Sequence, residues 1–279
     1  MNSHSFLNQF DTFSEKYFDE YFQKLPQAKI LSESMCYSFK SGGKRFRPYL
    51  TYLVSELFEV DFDQILPFSL AVEMIHTYSL IHDDLPCMDN DDLRRGQPTN
   101  HKMFGEDMAL LAGDSFLTLA FQIISDKYSD NPSIGLQLIK LLSHKVGFAG
   151  MIGGQVIDIK SNAQTTTDDT WLMHKRKTAD LIEVSVTGAA IICKANTKQL
   201  QVLQEFAQTI GLAFQVKDDL LDANEKEQDH KNLVQKIGLD KTQAELHKLS
   251  QLAEKYLTEI SLNTHSLQEL INFNLNRVH

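Results

Sequence analysis

Apolar residues recur at helical spacing through most of this chain, and that repeat decides its fold class. Leu66, Leu70, Met74, Tyr78 and Ile81 fall at i, i+4, i+8, i+12 and i+15, which draws one stripe along one helix face. Residues 108–125, MALLAGDSFLTLAFQIIS, are apolar on most sides, which predicts an interior helix. Residues 171–193 and 199–222 predict two more long helices. No period-two alternation and no Asn-Gly or Asp-Gly pair signals a hairpin. Gly totals 13 and Pro only 6 in 279 residues, so few breakers interrupt the pattern. These features predict one all-α domain over 1–279 with roughly ten or more helices and loops at 41–43, 86–100, 129–133 and 161–169.

The chain is 42% hydrophobic with a net charge of −10, enough apolar material for a sizeable core. An acidic chain with interspersed lysines is not a general nucleic-acid binder. An anionic ligand therefore needs local basic clusters or metal ions. Cys36, Cys87 and Cys193 are far apart and form no CxxC, which fits a reducing, cytoplasmic setting. MNSHSFLNQFDTF lacks a basic stretch followed by an apolar run, and no uncharged apolar run approaches a membrane span. No stable membrane insertion is expected.

Chemistry concentrates at two acidic segments. In SLIHDDLPCMDNDDLRRG, five aspartates lie between positions 83 and 92. Asp83 and Asp84 end a helical run. Pro86 ends or bends that helix, so Asp89 can fold back toward Asp83. The second segment is DDLLD at 218–222. Asp218 and Asp222 are i, i+4, and Asp219 and Asp222 are i, i+3, so they share neighbouring faces of one helix end. Like charges so placed repel unless cations offset them. Carboxylate pairs suit Mg²⁺, which takes oxygen ligands and completes its shell with substrate phosphates.

Basic groups accompany the acids. SGGKRFRP at 41–48 sets Lys44, Arg45 and Arg47 before Pro48, which suits the first turn of the next helix. It is not a P-loop, because GxxxxGK[ST] is absent. Arg94 and Arg95 follow the first aspartates closely, and MHKRKTADL at 173–181 places Lys177 and Thr178 at an expected helix start. Two metal platforms with separate basic groups imply two polyanionic ligands, one held through metals and one held directly.

In combination and order, GGKRFRP, HTYSLIHDDLPCMDNDDLRRGQPTNH, GGQVIDI, HKRKT and FQVKDDLLD resemble the trans-prenyltransferases, the short-chain isoprenyl diphosphate synthases. The resemblance runs over nearly the whole chain. It is nearest to bacterial farnesyl and plant-type geranylgeranyl diphosphate synthases, which carry the two-residue insertion here represented by Pro86–Cys87. It implies a single polyprenyl synthetase domain with an isoprenoid-synthase-type antiparallel helical bundle around a central cavity, and a homodimer. It also implies that Asp83 and Asp89, supported by Asp84, bind Mg²⁺ that bridges the allylic diphosphate, with Asp218 and Asp222 binding another Mg²⁺ from the opposite wall; Mn²⁺ is an alternative ion. Arg94, Lys177 and a later lysine would hold the allylic diphosphate, while Lys44, Arg47, His76 and Arg95 would hold isopentenyl diphosphate. Lys177, Thr178 and Gln215 would flank the reacting carbons. Tyr78, five residues before Asp83, and Met74, one turn deeper, would close the tail pocket and set product length. His82 reads as a packing or hydrogen-bonding residue.

The resemblance implies condensation of isopentenyl diphosphate with dimethylallyl or geranyl diphosphate to give farnesyl diphosphate. A geranylgeranyl diphosphate synthase and a non-catalytic partner subunit are the alternatives within the family. A metal phosphohydrolase built on His82-Asp83 leaves DDLLD and GGKRFRP unexplained, and a terpene cyclase needs no second diphosphate site. The chain departs from the family after DDLLD, where ANEKEQDHKNLVQKIG is shorter and lacks the usual glycines. Either Lys231 or Lys226 stands in for the family's loop lysine.

Overall fold

The structure, a computed structural model, describes residues 3–224 and 230–278. In chain order the helices are α1 (Ser3–Phe22), α2 (Lys29–Lys40), α3 (Phe46–Leu57), α4 (Leu66–Asp83), α5 (Asn100–Phe104), α6 (Glu106–Lys127), α7 (Pro132–Val146) and α8 (Met151–Lys160). They continue with α9 (Thr167–Met173), a π-helical turn (His174–Ala179), α10 (Asp180–Ile192), α11 (Thr197–Leu221), α12 (Leu233–Ile237), α13 (Leu239–Thr258) and α14 (His265–Asn276). Among the described residues the only strands are β1 (Leu93–Arg94) and β2 (Gln97–Pro98). The all-α class expected from periodicity is the class observed.

Local chemistry fixes many boundaries. Thr166 and Asp169 exchange hydrogen bonds in a capping box that starts α9, and Asn196 and Gln199 do the same for α11. Each box satisfies two donors that a helix start leaves open. α5 hands over to α6 at Gly105, φ 91°, and α12 to α13 at Gly238, φ 88°. That left-handed conformation suits a residue without Cβ.

The chain forms two compact units. The first comprises residues up to Tyr52 and Phe62–Ile139. Its centre is α4, buried on nearly every side from Leu66 to Tyr78, packed along α6. Gly113 on α6 faces His82 so closely that a Cβ there would lie 2.1 Å from the imidazole Nε2. By length and composition α6 is apolar enough to cross a membrane. Its Ala112, Phe116, Leu119 and Ile123 are nevertheless buried, and it packs on α4, α2 and α5. Phe10, Phe18, Phe39 and Phe116 extend this core in a chain of ring contacts.

The second unit comprises Leu53–Asp61 and the chain from Lys140 onward. Its long element, α11, packs against α10, α13 and the π-helical turn. Gly154 of α8 meets that turn: a Cβ there would fall 2.4 Å from the Lys177 backbone nitrogen. The sequence predicts one helix over 171–193. The chain instead widens between α9 and α10, where the Asp180 N–H bonds the Lys175 carbonyl, five residues back. Lys177 and Thr178 therefore sit inside a π-helical turn rather than at a helix start. Such turns recur at functional sites because they redirect side chains without ending the helix.

Candidate active site

In the first unit α4 ends at Asp83, with Asp84 as its C-cap. After Pro86 the chain turns back, and the Asp89 N–H donates to the Asp83 carbonyl oxygen at 2.9 Å. The fold-back expected from the proline is thus present, and it brings Asp83 and Asp89 together. Both are accessible to solvent. Asp84 differs. It is buried, and its Oδ1 accepts from Arg94 Nε at 3.0 Å and also from Arg94 Nη2. Burial raises the Asp84 pKa, and the Arg94 guanidinium opposes that rise. Arg94 also reaches Asp91 at 3.1 Å.

Arg94 and Arg95 owe their placement to a small hairpin. Leu93 pairs with Pro98 and Arg94 with Gln97, leaving Arg95 (φ 55°) and Gly96 (φ 75°) as the turn. Two positive φ values match the twist of a tight antiparallel turn. Arg95 consequently swings onto the SGG loop, where its guanidinium donates to the Gly42 carbonyl. Gly43 permits this approach, since a Cβ there would lie 2.6 Å from the guanidinium. The GGKRFRP and DDLRRG motifs meet here.

His76 lies seven residues before Asp83 on α4, about two turns earlier on the same face. Burial first, then Arg47, Arg95, Arg45 and Arg94, hold its pKa well below the ordinary 6.5, so the ring is neutral near pH 7. Arg47 has a buried Nε–H without an acceptor among the described residues. Burial lowers the Arg47 pKa. Arg45 points the other way: it donates to Glu73 at 2.9 Å and to the Phe39 carbonyl at 2.6 Å, and its guanidinium lies 4.7 Å from the Phe39 ring centroid. Arg47, His76 and Arg95 are therefore gathered, Lys44 stands exposed on the same loop, and Arg45 anchors that loop. Deeper on α4, Met74 and Tyr78 are buried, and the Tyr78 hydroxyl has no partner among the described residues. Burial raises its pKa to about 12. His82 bonds the Leu110 carbonyl at 3.1 Å, the packing role expected of it.

In the second unit the Thr178 hydroxyl donates to Gln215 Oε1 at 2.8 Å, joining the π-helical turn to α11. Lys177 Nζ lies 2.5 Å from Asp158 Oδ2, and Lys231 Nζ lies 2.5 Å from Asp158 Oδ1. One carboxylate thus gathers both lysines. Burial raises the Asp158 pKa, but the two lysines outweigh it and the net shift is downward. Lys226 lies outside the described residues.

The DDLLD carboxylates have separate surroundings. Asp222 is exposed at the end of α11. Asp218 is half-buried with Arg277 Nη2 2.7 Å from its Oδ1. Burial raises the Asp218 pKa, Arg277 lowers it, and Asp222 and Asp219 add to the rise. Asp219 is buried and bonds His174 Nε2 at 2.8 Å. Sequence reasoning placed Asp219 beside Asp218 and Asp222 but missed Asp158, His174 and Arg277 as part of this region. GGQVIDI and HKRKT marked the first two as motif members, whereas nothing in the local sequence ties Arg277 to Asp218.

The donor set fits Mg²⁺. Among the described residues no cage of three or more His, Cys, Asp or Glu ligands closes. Mg²⁺ does not need one: it binds through one or two carboxylates and keeps waters and phosphate oxygens. Asp83 with Asp89, and Asp218 with Asp222, supply hard oxygen donors of that kind.

Comparison with known proteins adds four findings. The family described as Polyprenyl synthetase matches residues 28–269. A farnesyl diphosphate synthase of Geobacillus stearothermophilus is 46% identical over 220 residues, covering 78% of this chain and 74% of that protein. A chloroplastic geranylgeranyl pyrophosphate synthase of Catharanthus roseus is 43% identical over 244 residues, covering 82% and 68%. Among solved structures, an FPP/GFPP synthase from Zymomonas mobilis superposes with a TM-score of 0.88 at 35% identity, covering 98% of this chain and 99% of that one.

Proposed function

We propose, for a chain that belongs to the polyprenyl synthetase family, that its product is farnesyl diphosphate, made from isopentenyl diphosphate and dimethylallyl or geranyl diphosphate. The chain is a trans-prenyltransferase with the isoprenoid-synthase fold. The reading takes residues 1–279 as a single polyprenyl synthetase domain.

Arg94, Lys177 and Lys231 bind the allylic diphosphate. Asp83 and Asp89, and Asp218 with Asp222, would hold Mg²⁺ beside it. Asp84 supports this set by orienting Arg94 through its buried hydrogen bonds. When bound, Mg²⁺ neutralises the diphosphate and makes it a better leaving group. Lysine and arginine charges add to that stabilisation as the allylic C–O bond breaks. The Thr178 hydroxyl and the Gln215 carbonyl, already joined at 2.8 Å, present weakly nucleophilic oxygens to the allylic cation. Lys44, Arg47, His76 and Arg95 hold isopentenyl diphosphate, whose double bond attacks; a proton then leaves to the released diphosphate. The neutral His76 donates an N–H without adding a titrating charge near pH 7. Water must be excluded while the cation persists.

The observation that carries the reading is the pair of lysines gathered on Asp158, beside the bonded Thr178 and Gln215. Two ammonium groups that close on a carboxylate are placed to close on a diphosphate oxygen. Buried Tyr78 and Met74 support a fifteen-carbon limit. A geranylgeranyl product is the second reading, favoured by the 43% identity to the Catharanthus roseus enzyme. Exposed apolar side chains support a homodimer: Leu110 and Leu111 on α6, and separately Phe148 just before α8 with Ile152, Val156 and Ile159 along it. We place the enzyme in the cytoplasm.

Product analysis with labelled isopentenyl diphosphate and Mg²⁺ tests the reading. Farnesyl diphosphate is expected from the wild type, and longer chains from Tyr78→Ala. Unchanged length in the variant removes Tyr78 from the tail pocket, and no product from the wild type removes the function.

A further inference from the structure

Asp219, the middle carboxylate of DDLLD, has no part in the function proposed above. The i, i+3 spacing to Asp222 groups it with the metal ligands, yet its surroundings do not. It is buried. Its Oδ2 accepts the Leu233 N–H at 2.8 Å and is 2.8 Å from His174 Nε2. Its main-chain carbonyl accepts from Asn232 Nδ2, also at 2.8 Å. The other end of that amide, Asn232 Oδ1, takes the Val234 N–H at 2.8 Å and starts α12. His174, Asn232 and Leu233 are all buried. A cation at Asp219 Oδ2 would have to displace the Leu233 N–H and the imidazole together.

Three segments meet on this residue. α11 brings Gln215, Asp218 and Asp222. The π-helical turn begins with His174 and carries Lys177 one turn later. The chain entering α12 carries Lys231 immediately before Asn232. Both lysines come from different segments, and both arrive at the same carboxylate, Asp158, at 2.5 Å. Their backbones are tied by one further residue, which is Asp219. Charge-assisted bonds from a backbone N–H and an imidazole to one carboxylate oxygen are short and directional, so they fix where each segment stands.

We propose that Asp219 is a positioning residue, with His174 and Asn232 as its arms, that sets Lys177 and Lys231 to act together on one diphosphate. This rests on the prenyltransferase reading. It also gives the shortened segment after DDLLD a physical device: Asn232 and Leu233 dock the returning chain directly onto α11, and Lys231 is delivered without the family's glycine-bearing loop.

The test compares wild type, Asp219→Ala, Asp219→Asn and Asn232→Ala, with two readouts. One is steady-state kinetics with geranyl and isopentenyl diphosphates. The other is calorimetric binding of the unreactive geranyl thiolodiphosphate in Mg²⁺. Asp219→Ala and Asn232→Ala should raise the KM for geranyl diphosphate and the Kd for the thiolo analogue by about 10-fold or more, the range for lost supporting partners. The KM for isopentenyl diphosphate should stay unchanged. Asp219→Asn keeps an oxygen acceptor for both donors and should retain near-wild-type values. Should Asp219→Ala fail to fold, Asn232→Ala carries the comparison, because it leaves the carboxylate in place. Three results overturn the proposal: lower melting temperature with no KM split, failure of Asp219→Asn together with a raised Mg²⁺ requirement, or unchanged analogue binding in Asn232→Ala. An inactive wild type would sink the prenyltransferase reading instead.

Discussion

Replacing Glu73 by alanine strands a charge. Arg45 is held at 2.9 Å by Glu73, with side chains 9% and 3% exposed. After substitution the guanidinium keeps only the Phe39 carbonyl and ring as partners among those described. Charge centres about 4 Å apart attract by about 4 kcal/mol at an effective dielectric near 20. Much of that only offsets desolvation, so the pair adds little net stability, whereas removing one member costs about 3–5 kcal/mol. At roughly 2–4 °C per kcal/mol, the melting temperature should fall by about 6–20 °C. Arg45, held by Glu73 and the Phe39 carbonyl, anchors the loop that carries Lys44 and leads into Arg47, so the KM for isopentenyl diphosphate should rise. Thermal melts by circular dichroism should compare wild type, Glu73→Ala and the double variant Arg45→Met with Glu73→Leu. The double variant removes the stranded charge and should recover most of the loss. If it is as unstable as Glu73→Ala, packing rather than charge holds the loop, and the reasoning fails.

Two pH experiments follow from the same kind of argument. Asp158 has a pKa below the ordinary 3.8 because Lys177 and Lys231 outweigh its burial. Its stabilisation is present above the unfolded pKa and lost as pH falls through the folded one. Asp158→Asn should therefore be less stable than wild type at pH 6, with the gap closing below about pH 4; a gap independent of pH would contradict the assignment. His76 is depressed by burial and four arginines, so its contribution is present above the ordinary 6.5 and lost as pH falls below it. Between pH 7.5 and 5.0 the urea midpoint of wild type should drop more than that of His76→Gln, and parallel drops would show that His76 does not titrate with folding.

Helices bearing the acidic segments were readable because period 3.6 is a local signal. The stripe from Leu66 to Ile81 became Leu66–Asp83, the run over 108–125 became Glu106–Lys127, and 199–222 became Thr197–Leu221. The break at His174–Ala179 was not readable. No Gly or Pro marks it, since only the hydrogen-bond register changes. The Arg95-Gly96 turn also escaped, because the usual turn pairs begin with Asn or Asp and here Arg95 itself takes φ 55°. Pro86 gave away the fold-back that joins Asp89 to Asp83. Spacing put Asp219 on neighbouring faces with Asp218 and Asp222, and the family resemblance made Asp84 a support for the metal ligands. What sets these two apart is burial and long-range partners, Arg94 for Asp84 and His174 with Leu233 for Asp219. Asp158 reaches across 19 residues to Lys177 and further to Lys231, distances that no periodicity records.

In the proposed function both aspartate segments would serve one allylic diphosphate through divalent cations. A double-mutant cycle on Mg²⁺-dependent turnover of geranyl and isopentenyl diphosphates tests it most directly. Asp83→Asn and Asp218→Asn should each slow turnover by about 10²–10³-fold, and the double variant should be far less impaired than the product of the two effects. Wild-type turnover in either single variant, or strictly multiplicative losses, would contradict the account.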